Sequence, residues 1–255
     1  MLIDTHAHLE MLESVPEIIQ RAKDLGVEKI VAASSDLSSS KRSLEISQTF
    51  PCVFAAVGIH PHEASSLNDT VFSEIEKLAE KQRVLAIGET GLDYHYMHSP
   101  REVQMYSFRR HIELAKRTCL PLVIHVRDAH EDVLNVLREE NTQGINAVIH
   151  CFTGDYRTAM EYIDGGFYIS FSGIVTFKNA EDIKEAARKI PIEKILVETD
   201  SPYLAPIPFR GKKNEPSYVK YVAQKIAELR GVSFEEIAEK TTANASSLFG
   251  FDIVS

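Results

Sequence analysis

Four of the ten histidines in this 255-residue chain stand in short apolar runs, and two acids stand in similar settings. His6 and His8 lie one residue apart in LIDTHAHLE, His125 lies in PLVIHVR, and His150 in NAVIHCF. Glu89 sits in AIGETGLD and Asp200 in VETDSPY. Each alone has an ordinary explanation: a satisfied core histidine, a helix cap, or the partner of a buried base. As a set they are a costly way to fill an interior, because buried charges and imidazoles need a pair or a ligand. Metal ligation accounts for all six. Imidazole and carboxylate without thiolate suit Zn²⁺, Mn²⁺ or Ni²⁺, with Mg²⁺ where oxygens dominate, so the ion itself is left open. Six ligands exceed what one hydrolytic ion with an open position needs. They suit two divalent ions sharing a carboxylate, with Glu89 as the bridge. Two such ions can share a hydroxide and clamp an in-line displacement at phosphorus.

Residues this far apart in sequence need a scaffold that gathers them. Eight β-like runs recur along the chain: LIDTHAHL, KIVAAS, VFAAVGIHP, VLAIGETGLD, PLVIHVR, NAVIHCF, FYISFSG and ILVETDSPY. Most are too continuous for half-exposed strands, as expected of parallel strands buried on both faces. Amphipathic segments such as VPEIIQRAKDLG, VFSEIEKLAEKQ and VQMYSFRRHIELAKRT lie between them. Ser99, Pro100 and Glu102 predict a capping box with proline at the first helical position, and Ser233 with Glu236 predicts a second box. No linker or repeat interrupts the alternation, so residues 1–255 are expected to form a single domain. The α/β pattern predicts a closed (β/α)8 TIM barrel. An open doubly wound sheet would carry a glycine-rich phosphate turn, and neither GxGxxG nor GxxxxGK[ST] occurs.

In such a barrel, chemistry belongs at the C-terminal ends of the strands. His6 and His8 fall toward the end of the first run and share a face by strand alternation. His60 and His62 follow the third run. Glu89 is expected to end the fourth, His125 the fifth, His150 the sixth and Asp200 the eighth.

Composition bounds the rest. A 44% hydrophobic and 25% charged chain can fill a core and is not disordered. The net charge of −9 and pI near 5.6 exclude a non-specific duplex binder, which needs a basic face. Three cysteines without CxxC spacing point to reduced thiols. No basic, apolar leader opens the chain and no apolar run reaches roughly 18 residues. A cytoplasmic protein without a membrane segment, monomeric or weakly oligomeric, is expected.

The motifs DTHAHL, GIHPH, GETGLDY, LPLVIHVRDA, HCFTG, ISFSGIVTFK, VETDSPYLAP and RGKKNEP, in this order, resemble the TatD family of metal-dependent deoxyribonucleases among the amidohydrolase-like barrels. The resemblance implies that His6, His8, Glu89 and Asp200 hold one ion, while Glu89, His125 and His150 hold the other. It also implies that a third ion can be recruited transiently, with His60 as a helper. A carboxylated lysine bridges the ions in many related hydrolases. Glu89 at the matching place points away from lactonases and phosphotriesterases. The implied activity is an exonuclease-type deoxyribonuclease, in which a metal-bound hydroxide attacks the phosphodiester and Glu89 and Asp200 are catalytic. Its partner is nucleic acid as substrate, DNA ends or single strands, rather than a duplex held stably.

Further residues are candidates for holding substrate, each with a plainer alternative. His60 and His62 flank Pro61 and either touch phosphate or a further ion, or are solvated beside a turn. Asp93 either orients a histidine ligand or caps its loop. Arg127, two residues after His125, either reaches phosphate or forms an ion pair at the rim. Arg210 either grips phosphate in a bidentate manner or belongs to a solvated basic loop. Tyr203 either stacks on a base or packs beneath that loop. His95, His98, His111 and His130 receive no role, and His111 is expected on the outer face of its helix. Two other readings compete with the nuclease. One is an ester hydrolase on the same metals, such as a D-aminoacyl-tRNA deacylase. The other is a non-catalytic metal-binding scaffold.

Overall fold

The computed structural model describes residues 1–251. Eight parallel strands form one sheet in sequential order: β1 Leu2–Ala7, β2 Val27–Ala32, β3 Val53–Val57, β4 Val84–Asp93, β5 Leu122–Arg127, β6 Ala147–Ile149, β7 Tyr168–Phe171 and β8 Ile195–Val197. The sheet rolls into a nearly closed barrel. Asp200 N–H donates to the His6 carbonyl (2.9 Å) and His8 N–H to the Ser201 carbonyl (2.7 Å), joining the chain after β8 to β1. Helices alternate with the strands: α1 Val15–Asp24, α2 Leu37–Thr49, α3 Asp69–Ala79, α4 Arg101–Thr118, α5 His130–Glu139, α6 Tyr156–Asp164, α7 Glu181–Lys189, α8 Val219–Arg230 and α9 Phe234–Phe249. No helix among the described residues is long and apolar enough to cross a membrane.

The apolar residues divide into two layers. Leu2, Ile30, Val57, Ile87, Ile124, Ile149, Ile169 and Val197 face the helices in the larger cluster. Their alternates, including Ile3, Val31, Ala86, Val123 and Val148, pack with Leu248, Phe249 and Phe251. Alternation along each strand thus gives an outer layer under the helices and an inner layer that α9 plugs. Burying each such Val, Leu or Ile contributes about 1.5–3 kcal/mol. The barrel can therefore carry an expensive polar cluster at its other end.

Two local expectations are corrected. Ser99 does not cap α4: the helix begins at Arg101 behind Pro100, with no side-chain cap. Ser99 Oγ instead donates to the His62 carbonyl (2.9 Å) and accepts from Ser65 N–H (3.0 Å), tying two rim loops together. His111 is not on the outer face. It is fully buried, with Nδ1–H donating to the Ser107 carbonyl (2.7 Å) and Nε2 accepting from Ile59 N–H (3.1 Å). The spacing of buried Gln104, Phe108, His111 and Ala115 on one stripe of α4 carried that signal. Ser233 does cap α9, accepting from Glu236 N–H at 3.1 Å.

Candidate metal centre

Strict alternation does not aim the first two histidines inward. Ile3 points into the barrel, so His6 and His8 would fall on its outside. The register between β1 and β2 slips between Asp4 and Ala7, where three residues on β1 face two on β2. Such a bulge turns the side chains beyond it to the other face. β4 uses the same device: its register to β5 slips between Ile87 and Thr90, bracketing Glu89. Gly88 and Gly91 permit it. Both have positive φ (147° and 137°), and a Cβ on either would lie 2.5 Å from the Val123 carbonyl oxygen or 2.1 Å from that of His125. β4 runs on to Asp93, so Glu89 lies within the strand rather than ending it. His125 and His150 need no bulge, because alternation from Val123 and Val148 already turns them inward. Asp200 stands in the turn after β8, with φ 55°, fastened to β1 by the bond to His6. Asn214 staples that turn, donating to the carbonyls of Thr199 (2.9 Å) and Tyr203 (2.6 Å).

The six residues meet at Glu89. Its Oε2 lies 3.2 Å from His6 Nε2 and 3.5 Å from His8 Nε2, and Asp200 Oδ1 lies 3.8 and 3.6 Å from the same nitrogens. Its Oε1 lies 2.8 Å from both His125 Nδ1 and His150 Nε2, and 3.2 Å from His60 Nε2. By nearest oxygen the imidazoles fall into two sets, and His6 and His150 join them, stacked at 4.0 Å and forming one candidate ligand group with Glu89. Within the sets the nitrogens themselves are close: His6 to His8 3.4 Å, and His125 to His60 and to His150 3.3 Å. Five ring nitrogens converging on two oxygens cannot each give a proton to its own acceptor. Lone pairs aimed at a common point suit a cation, and the donor set is one that divalent metals take. His60 belongs with the Oε1 set, closer to the centre than a purely peripheral helper.

The electrostatics agree with that reading. Burial opposes charge on Glu89, yet the surrounding imidazoles of His150, His60, His6 and His125 hold its carboxyl well below the usual range. Burial likewise opposes charge on His150, which Glu89 and Glu198 nevertheless raise, and on His125, which Asp93 and Glu89 raise. His8 is pushed up to about 9 against its burial by Glu10, Glu89 and Asp200. Asp200 is raised by its own burial, and His60 is lowered to about 4 by burial, with His125 and His62 adding to the fall. Carboxylates thus favour positive charge on His8, His125 and His150 against their burial, while burial drives Asp200 and His60 toward their neutral forms.

Behind three of the histidines stands another acid. Asp93 Oδ2 lies 3.1 Å from His125 Nε2, Glu198 Oε1 3.4 Å from His150 Nδ1, and Glu10 Oε1 3.5 Å from His8 Nδ1. A carboxylate hydrogen-bonded to the far nitrogen fixes the tautomer and orientation of a metal-binding imidazole, as Asp93 does for His125, while Glu10 and Glu198 stand within ion-pair range of Nδ1 atoms that make no hydrogen bond. Of these, the sequence reading singled out Asp93 alone. Glu10 lies within LIDTHAHLE and Glu198 within VETDSPY, so a carboxylate beside a noted ligand in each run was the available signal. Asp93 also meets His62, whose Nε2 lies 3.0 Å from the same Oδ2.

The centre opens into a cleft of about 480 Å³ whose wall includes His8, His60, His62, Asp93, Tyr96, Arg127, Tyr203 and Asp200. Arg127 is exposed at the rim with its guanidinium 5.0 Å from the Tyr96 ring, a cation–π contact rather than an ion pair. Tyr203 is half exposed and meets His8 edge-on, so it does not pack beneath the basic loop. Arg210 does not line the cleft; its guanidinium lies 3.7 Å from the Phe177 ring. His95 pairs with Asp128 (3.0 Å) and His130 with the Tyr162 hydroxyl (3.1 Å). A larger depression of about 540 Å³ between α5 and α6 includes Arg138, Glu161 and Asp164 in its wall but none of the candidate metal clusters.

Residues 3–250 match the model of the TatD related DNase family. The chain is 47% identical over 252 residues to the uncharacterized metal-dependent hydrolase YabD of Bacillus subtilis, covering 98% of this chain and 99% of that protein. It is 33% identical over 244 residues to the 3'-5' ssDNA/RNA exonuclease TatD of Citrobacter rodentium, covering 94% and 93%. In structure it resembles YjjV, a TatD homologue from Escherichia coli, with a TM-score of 0.93, 28% identity and 98% of each chain covered. A nearly closed eight-stranded barrel with an imidazole–carboxylate cluster at one mouth, matched over almost its whole length, places this chain in the TatD related DNase family of metal-dependent hydrolases.

Proposed function

We propose that this protein is a metal-dependent phosphodiesterase that trims nucleic acid from ends or single strands, as an exonuclease-type deoxyribonuclease. The division of imidazoles between the two oxygens of Glu89 carries the reading, because it provides two adjacent ligand sets sharing one bridge. His6, His8, Glu89 and Asp200 would hold one divalent ion, and Glu89, His125 and His150 the other, with His60 beside the second set. Bound there, divalent ions supply Lewis acidity and a water that ionises near neutral pH. Asp200 would accept the proton of the attacking water at Oδ2, the oxygen farther from His6 and His8. Arg127, exposed at the rim, offers charge to the phosphate, while Asp93 keeps His125 aligned and Glu198 and Glu10 stand beside His150 and His8. The name of the Citrobacter relative supports nucleic acid as substrate. The same reading treats residues 1–255 as one catalytic domain working as a monomer or weak oligomer.

The test is a hydrolysis panel with Mg²⁺, Mn²⁺ and Zn²⁺ on end-labelled single-stranded DNA, RNA and D-Tyr-tRNA. Release of mononucleotides, lost in Glu89→Ala and His125→Ala, is the expected result. DNA left equally intact by the metal-loaded protein and both variants overturns the nuclease reading, and deacylation of the tRNA alone replaces it with ester hydrolysis.

A further inference from the structure

The mechanism above leaves one cleft feature unused: a group of rings after β4. Tyr96 is 52% exposed although His95 (4.7 Å), His62 (5.5 Å) and His98 (5.7 Å) surround its ring and the Arg127 guanidinium lies 5.0 Å away. A large aromatic left this open, beside a cation, is a surface on which a flat π-system can stack. Its loop is firmly held. Asp93 Oδ1 accepts from the N–H groups of His95 (3.0 Å) and Tyr96 (2.9 Å). Gln104 accepts from Asp93 N–H (2.8 Å) and donates to the carbonyls of Asp93 (3.0 Å) and Ser99 (2.8 Å). The other oxygen of Asp93 holds His125. One carboxylate therefore fixes both the backbone that carries the exposed ring and a candidate metal ligand, limiting their separation before any substrate arrives.

We propose that Tyr96, with Arg127 beside it, is the nucleobase platform of this protein: it stacks an unpaired base while Arg127 takes an adjoining phosphate. A base within a duplex has both faces covered by neighbours, so the platform selects single strands and frayed ends. This rests on the nuclease reading and specifies its substrate. The net charge of −9 agrees with it, since affinity for an unpaired strand would come from stacking at one place rather than from a broad basic face.

The chain contains no tryptophan, so Tyr96→Trp installs a single fluorophore at the platform. Metal-loaded Tyr96→Trp is titrated with a phosphorothioate-linked oligothymidylate and with an abasic strand of equal length and charge. Saturable quenching by the first and none by the second is expected. Equal quenching by both, or none by either, overturns the platform whatever the hydrolysis panel shows. In steady state, Tyr96→Ala should raise KM for single-stranded DNA by about five- to a hundredfold, with a smaller change in kcat and recovery in Tyr96→Phe. An unchanged KM, or a fall confined to kcat, counts against the proposal. Base-selective quenching in a protein that leaves labelled DNA intact would instead retain the platform and remove the nuclease.

Discussion

Replacing Asp93 by asparagine tests how the centre is held without touching a proposed ligand. The carboxylate has four donors around it: His62 and His125 on Oδ2 at 3.0 and 3.1 Å, and two backbone N–H groups on Oδ1. An amide of the same shape has one accepting oxygen, and its NH₂ must face one of the two pairs. Facing the imidazoles, it forces His125 to carry its proton on Nδ1, the nitrogen 2.8 Å from Glu89, and that nitrogen can then no longer ligate a metal. Facing the backbone, it opposes the N–H groups of His95 and Tyr96 and loosens the turn. Asp93 is held well below the usual carboxylate range: burial opposes this, but His125, the Tyr96 N–H and His62 outweigh it, so a full charge is lost as well. Removal of such a partner weakens metal affinity about 10–100-fold, which is about 1.4–2.7 kcal/mol. Calorimetric titration of metal-free wild type and Asp93→Asn with Mn²⁺ or Zn²⁺ reads this directly, with circular dichroism to verify the fold. Equal affinities at every binding step would refute the claim that Asp93 orients His125 for a metal.

Four further outcomes follow from the geometry. Glu89→Ala should lower bound metal by at least one ion per chain in plasma mass spectrometry; an unchanged content rules out the bridge. Chelation should lower the melting temperature of the wild type, because metal at a hundred times its Kd adds about 2.7 kcal/mol, and a melting curve indifferent to chelator and added metal contradicts the centre. His111, its pKa lowered to about 4 by burial, is neutral in the folded state. Its contribution is present in full above the unfolded value of 6.5 and is lost as pH falls from there toward 4, up to about 3 kcal/mol. Urea unfolding should show a shallower pH dependence across that window in His111→Gln, and an identical dependence would refute it. Gly91→Ala places a Cβ 2.1 Å from the His125 carbonyl at a φ of 137° and should cost at least about 2 kcal/mol; a loss under about 0.5 kcal/mol in urea unfolding would count against the close approach of β4 to β5.

The alternation of continuous apolar runs with amphipathic segments is a local property, and it determined the eight strands, their helices and the barrel. It also placed His125 and His150, whose inward orientation follows from simple alternation after Val123 and Val148. The same rule applied to Ile3 and Ala86 sends His6, His8 and Glu89 the wrong way. Only the register slips in β1 and β4 turn them into the barrel, and a slip is a relation between a strand and its neighbour that no single segment contains. For the same reason the sequence did not show that Glu10 and Glu198 back His8 and His150, that Ser99 ties two loops instead of capping α4, or that His60 stands against Glu89. His111 faces inward with the buried stripe it shares with Gln104 and Phe108, a packing relation that residue polarity alone does not show. Residue types and order thus gave the chemistry of the centre, while pairing between distant strands decided which atoms face one another.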